Sequence, residues 1–197
     1  MGRWEPDAQG RLLRAALELF SERGYEATTT AQIAERAGLT KTTLFRLFAD
    51  KREIVFQGQG VLVALVKQGV EEAPADASAT SLTANGLRVL SSAHGEEQRR
   101  IGRLLDPILA TNGELNERAI YKRFAITEAL ETALIDRRVD SWQAGILADL
   151  GVRAYYAGYA LWVVSHDSPP RIDYVQAQFQ KLQGASARLS EDTARRH

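Results

Sequence analysis

Residues 11–51 read RLLRAALELFSERGYEATTTAQIAERAGLTKTTLFRLFADK. Leu12, Leu13, Ala16, Leu19 and Phe20 fall at i, i+1, i+4, i+7 and i+8, one apolar face of a 3.6-residue period. That spacing predicts a first helix over about 7–23. Gly24 follows it, suited to a left-handed stop, and Arg23 suits the negative end of the helix dipole. Thr29 with Gln32 has the capping-box spacing, so a second helix is expected near 30–37 with Ile33 and Ala37 inward. Gly38-Leu39 reads as a tight turn in which Gly permits a positive φ and Leu39 plugs the corner. Thr40 then caps a third helix over 41–48, with Leu44 and Phe48 buried.

Two short helices joined by a Gly turn form a helix-turn-helix, whose second helix can enter the major groove with its N-terminal residues against base edges. Those residues are Thr40, Lys41, Thr42 and Thr43, with Arg46 one turn on. Small hydroxyl residues permit close approach, and Arg can pair bidentately with guanine. Helix N-termini near Thr29 and Thr40 offer backbone N–H groups to phosphates, and Lys51 and Arg52 are placed to clamp the backbone. The same pattern also serves small helical cores that touch no DNA. Charge leans slightly one way: residues 1–52 hold 9 Lys+Arg against 7 Asp+Glu, and the remainder 16 against 18. A strongly basic nonspecific binder is disfavoured, whereas two copies reading a specific site fit.

Over about residues 11–56 the chain resembles the TetR family of bacterial transcription regulators. The likeness is carried by ALELFSERGYEATTT (16–30), IAERAGLTK (33–41) and TLFRLFADK (43–51). The resemblance implies an all-α homodimer. Its two heads bind a palindromic double-stranded DNA operator, and a C-terminal domain binds a small molecule that weakens DNA binding. It places DNA contacts at Thr28 or Thr29 (phosphate), at Lys41, Thr42, Thr43 and Arg46 (bases and phosphates), and at Lys51 (phosphate). Three positions depart from the family pattern. Phe45 replaces a usual Tyr, losing a phosphate bond and keeping ring packing. Leu47 replaces a frequent His and has no polar reach. Thr42 stands where a smaller residue is common, and its methyl can meet a thymine methyl.

The whole chain has 197 residues, 45% hydrophobic and 25% charged, with zero formal net charge. These values are ordinary for a globular protein. No cysteine is present, which excludes disulfides, thiolate metal sites and cysteine redox sensing. No apolar run reaches the length of a membrane span, and MGRWEPDAQG lacks a signal-peptide core. A cytoplasmic, nucleoid-associated protein without membrane contact is expected.

After the head, residues 51–72 read as one helix tying head to body, weakened by Gly58, Gly60 and Gly69. Residues 71–81 read as a polar loop. Further helices are expected at about 81–93, 96–112, 114–138, 141–166 and 172–194. Pro107 is expected to kink or split the 96–112 stretch. Period-two alternation is absent. The fold class is therefore all-α; with the resemblance, it implies a three-helix helix-turn-helix head, residues 1–52, and a helical effector-binding and dimerisation domain, residues 53–197.

Within 142–162, Gly151, Ala154 and Gly158 form a smooth stripe among Trp142, Tyr155, Tyr156, Tyr159 and Trp162. The stripe suits helix packing, in the core or across a dimer seam. Alternatively it suits a pocket wall with phenolic handles. Candidate ligand-binding residues are Leu105, Ile108, Leu109, Tyr121, Phe124, Tyr155, Tyr159 and Trp162, which would take an apolar or amphipathic effector. Arg99, Arg100, Arg103, Lys122 and Arg123 read as a solvated helix face or as charge at a pocket mouth.

Catalytic chemistry is not visible. The three histidines, His94, His166 and His197, stand apart, and no phosphate loop or nucleophile elbow occurs. His166-Asp167-Ser168 collects triad residue types, but sequence neighbours cannot face one another as a triad requires. No cofactor or metal is called for. The reading is a ligand-responsive repressor rather than an enzyme. Its rivals are a regulator of the same fold that activates or takes no ligand, and a helical protein-interaction module with a degenerate helix-turn-helix.

Overall fold

The computed structural model describes residues 7–165 and 170–194, with the side chains of Gln59 and of 190–194 left aside. The described residues form ten helices and no strand: α1 Ala8–Arg23, α2 Thr30–Arg36, α3 Lys41–Leu47, α4 Lys51–Val55, α5 Gln59–Glu71, α6 Ala79–Ser92, α7 Glu96–Thr111, α8 Gly113–Asp136, α9 Ser141–Val164 and α10 Arg171–Ala194. The all-α class is as expected from the periodicity. His166-Asp167-Ser168 and His197 lie outside the described residues.

Two boundaries differ from expectation. The helix read over 51–72 is two helices, because Gly58 adopts φ +80° between α4 and α5. Pro107 does not split the 96–111 stretch, which runs as the single helix α7. Its missing N–H removes only one bond of the ladder.

The chain forms two compact units, residues 1–58 with 100–120 and residues 59–99 with 121–197. The first is built on α1. Its buried Leu12, Leu17, Leu19 and Phe20 pack with Ile33, Leu44 and Ile54 from the next three helices. Ile108, Leu115 and Ala119 join the same core. Polar ties accompany this packing. Arg118 reaches Glu53 at 3.1 Å and Arg52 reaches Glu114 at 2.9 Å.

The second unit packs α5, α6, residues 121–136 of α8, α9 and α10 around Val66, Leu87, Leu90, Ile126, Leu130 and Tyr155. Glycines set its closest approaches. A Cβ on Gly151 would meet Thr83 Cγ2 at 3.0 Å, and one on Gly158 would meet the backbone of Val175 at 2.7 Å. The 151–154–158 stripe is therefore filled within one chain, by α6 and α10, rather than across a dimer seam. Arg137 closes the far end of the unit, donating to the carbonyls of Val70 (2.6 Å), Ala73 (3.1 Å) and Pro74 (2.6 Å).

Candidate nucleic-acid interface

The head is assembled by its caps. Thr29 and Gln32 form a reciprocal capping box: the Thr29 hydroxyl accepts from Gln32 N–H at 3.3 Å, and Gln32 Oε1 accepts from Thr29 N–H at 2.9 Å. Thr40 Oγ1 accepts from Thr43 N–H at 3.1 Å, fixing the start of α3. Between the two helices Gly38 takes φ +65°, and Leu39 packs partly buried against the head core. The Arg11 guanidinium donates to the carbonyls of Ala37 and Gly38, tying α1 to the turn. Arg36 bridges back to Glu22 at 2.9 Å and Glu18 at 3.4 Å. The turn is thus held from both sides, and α3 has a fixed direction.

On that frame Thr40, Lys41, Thr42, Phe45 and Arg46 are exposed, and all belong to α3 or its cap. Lys41 Nζ lies 5.6 Å from the centroid of the Phe45 ring, within the range of a cation–π contact. Phe45, 47% exposed, offers a flat apolar face beside Lys41. Thr43 is half-buried, its hydroxyl 2.9 Å from that of Thr40. Leu47 is half-buried and packs against the head core, which gives an apolar residue at that position a structural use.

Two of the expected phosphate ligands point elsewhere. Thr28 is buried, and its hydroxyl donates to Gly24 O at 2.8 Å. Of the two threonines, Thr29 is the exposed one. Lys51 is partly buried, with Nζ donating to Tyr25 O at 2.7 Å and Thr28 O at 3.3 Å and lying 3.9 Å from the Tyr25 ring centroid. Both side chains hold the loop before α2.

The expected ligand residues separate. Leu105, Ile108 and Leu109 pack with the head core. Tyr121 and Phe124 are exposed, at 60% and 57%. Tyr155, Tyr159 and Trp162 do come together, on one face of α9, around the Arg171 guanidinium, at 4.5, 5.3 and 5.9 Å from their ring centroids. Sequence reasoning missed Arg171, and one signal was available. An arginine opening a helix opposes the positive end of the dipole, so it needs another reason to be there. Arg99, expected on a solvated helix face or as charge at a pocket mouth, is buried, donating to Trp162 O at 2.9 Å and to Ser165 O. It satisfies carbonyls left open at the C-terminal end of α9.

A capped helix-turn-helix with an exposed, cation-bearing second helix has the geometry of a DNA-reading head. Residues 12–57 match the family model described as bacterial regulatory proteins, tetR family. The regulator YvkB of Bacillus subtilis is 43% identical over 58 residues, 29% of this chain and 27% of that protein. The regulator TcmR of Streptomyces glaucescens is 52% identical over 44 residues, 22% and 20% of the two chains. The chain therefore spans only about a quarter of the length of these curated relatives. Thermus thermophilus FadR, a TetR-family repressor solved with lauroyl-CoA, superposes with a TM-score of 0.51 at 19% identity, covering 89% of this chain and 93% of that one. A likeness at that identity is one of fold. Residues 12–57 are thus similar to the DNA-binding domain of the TetR family, and the whole chain shares the fold of a TetR-family regulator.

Proposed function

We propose that the protein is a ligand-responsive transcriptional repressor that binds a palindromic operator as a homodimer. Residues 1–52 act as the reading head and 53–197 as the regulatory domain. The observation that carries the reading is the exposed row Thr40, Lys41, Thr42 and Arg46 on a helix whose direction is locked by two caps and Arg11. Lys41 and Arg46 supply charge and bidentate donors, Thr42 supplies a methyl and a hydroxyl, and Thr29 stands by for a phosphate.

Dimerisation draws support from α9 and α10. Trp142, Ile146, Leu161 and Val164 are 83%, 56%, 45% and 67% exposed. At roughly 100° per residue they fall within an arc of about 100° on α9, and Leu189 of α10 is 70% exposed. Exposed apolar faces of this kind suit self-association. An effector in the regulatory domain would act by preferring one arrangement of its helices, since only differential affinity shifts an equilibrium. The FadR likeness makes an apolar or amphipathic effector a reasonable class.

Repeated selection from random duplex DNA tests the reading. A palindrome should be enriched and bound by two or four subunits, with affinity falling steeply between two salt concentrations. Weak binding without enrichment would overturn it in favour of a protein-interaction module.

A further inference from the structure

Arg171 is 4% exposed, and its Nε, Nη1 and Nη2 have no hydrogen-bond partner among the described residues. It lies among the faces of Tyr155, Tyr159 and Trp162. Its buried charged neighbour among the described residues is also a cation. Arg99, also buried, sits 5.4 Å from the centroid of the same Trp162 ring, and Arg99 and Arg171 are the only buried charged residues among those described. The acid that pairs with Arg99, Glu96, is 82% exposed. Asp173, in the first turn of α10, is exposed as well. Aromatic faces supply a quadrupole and the Tyr155 hydroxyl a neutral acceptor, but neither supplies a counter-charge. A buried guanidinium whose nearest polar neighbour is the neutral Tyr155 hydroxyl, with no carboxylate on it, is an incomplete site.

Beside it stands His94, whose ring lies 6.4 Å from Tyr155 and 6.1 Å from Tyr159 and whose Nδ1 has no partner among the described residues. Burial, with Arg171 and Lys122 adding to it, pushes His94 down to about 3, so the imidazole is neutral. It adds hydrogen-bonding capacity without adding charge.

We infer that Arg171, with Tyr155, Tyr159, Trp162 and His94, anchors the carboxylate of an apolar organic acid. This inference rests on the regulatory reading and gives its effector a charged end. A planar monoanion matches the guanidinium fork bidentately. One guanidinium beside a neutral imidazole balances one negative charge, which favours a carboxylate over a phosphate dianion. The rings receive the adjoining carbons. Because Gly158 of α9 lies against Val175 of α10 in the midst of these residues, seating a ligand there requires α9 and α10 to part. That displacement is a state change an effector can drive.

The test is calorimetric titration of the full chain with octanoate, phenylacetate and benzoate, each against its uncharged amide. At least one acid should bind about tenfold or more tightly than its amide, and the preference should vanish in Arg171→Met and weaken in Arg171→Lys. The same acid should raise the His94 pKa, read from its imidazole NMR signal. A second measurement guards against misfolding. Removing an unpaired buried cation raises Tm of the ligand-free protein, so Arg171→Met should melt higher than the wild type. A lower Tm in Arg171→Met, with no acid preferred in the wild type, would mean that the chain supplies its own counter-charge and would overturn the inference. Acid binding without operator release would leave the anion site standing and sink the regulatory reading. Operator release by neutral compounds alone would do the reverse.

Discussion

The Lys51 ammonium donates to the Tyr25 carbonyl at 2.7 Å while lying 3.9 Å from the centroid of the Tyr25 ring. One side chain thus closes a loop across 26 residues, joining the start of α4 to the chain leading into α2. The loop also contains Thr28, turned inward onto Gly24.

Lys51→Ala should therefore destabilise the head, by about 1–3 kcal/mol from a lost charge-assisted hydrogen bond and cation–π contact. Urea unfolding measures this. Unchanged stability with a uniform loss of DNA affinity across sequences would instead assign Lys51 to a phosphate.

Arg46 is exposed on α3 with nothing of the head core depending on it. Arg46→Ala should leave Tm unchanged and cost roughly 1–3 kcal/mol of operator affinity if it reads a guanine. Fluorescence anisotropy against operators altered one base pair at a time checks the assignment. Arg46→Ala should lose discrimination at a single position, and an unaltered specificity profile would remove it from base readout.

Gly158 and Gly60 make an opposed pair. A Cβ at Gly158 would stand 2.7 Å from Val175 Cα and N, both backbone atoms, whereas at Gly60 it would meet nothing within 4 Å. Gly158→Ala should cost about 1–3 kcal/mol through forced separation of α9 and α10. Gly60→Ala, in α5, should be neutral or add up to about 1 kcal/mol. Thermal melts of the two proteins suffice. A silent Gly158→Ala would show that α9 and α10 part at little cost.

His94 makes stability depend on pH. Its folded pKa is pushed down to about 3 from 6.5, by burial first and then by Arg171 and Lys122. The unfolded chain therefore binds the extra proton as pH falls below 6.5, so stability declines toward acid and is fully present above that value. The slope is at most about 1.4 kcal/mol per pH unit. Between about pH 5 and 6.5, above the carboxylate range, His94→Gln should flatten this limb in denaturant titrations. An unchanged slope would place the titration on another group.

The head was legible because its signals are local. The capping box spans four residues, the turn is one glycine, and the buried stripe of α1 repeats within two turns, so no distant residue was needed to read α1, α2 and α3. The exposed row from Thr40 to Arg46 followed from the same register. The break between α4 and α5 was less legible. Three glycines weaken the 51–72 stretch, and only Gly58 takes the positive φ that ends a helix there.

What local sequence could not settle was the direction of individual side chains and the company they keep. Thr28 and Thr29 are chemically alike and adjacent, yet one faces the core and the other the solvent. Lys51 reads as a surface cation until Tyr25 is brought beneath it. Arg99 and Arg171 look like ordinary surface charges among the 25 of Lys and Arg, and the crossing of α9 and α10 at Gly158 is what carries Arg171 onto three aromatic rings. Cap and turn chemistry acts over a few residues and survives in the sequence. Burial of a charge is decided by helices meeting far apart along the chain.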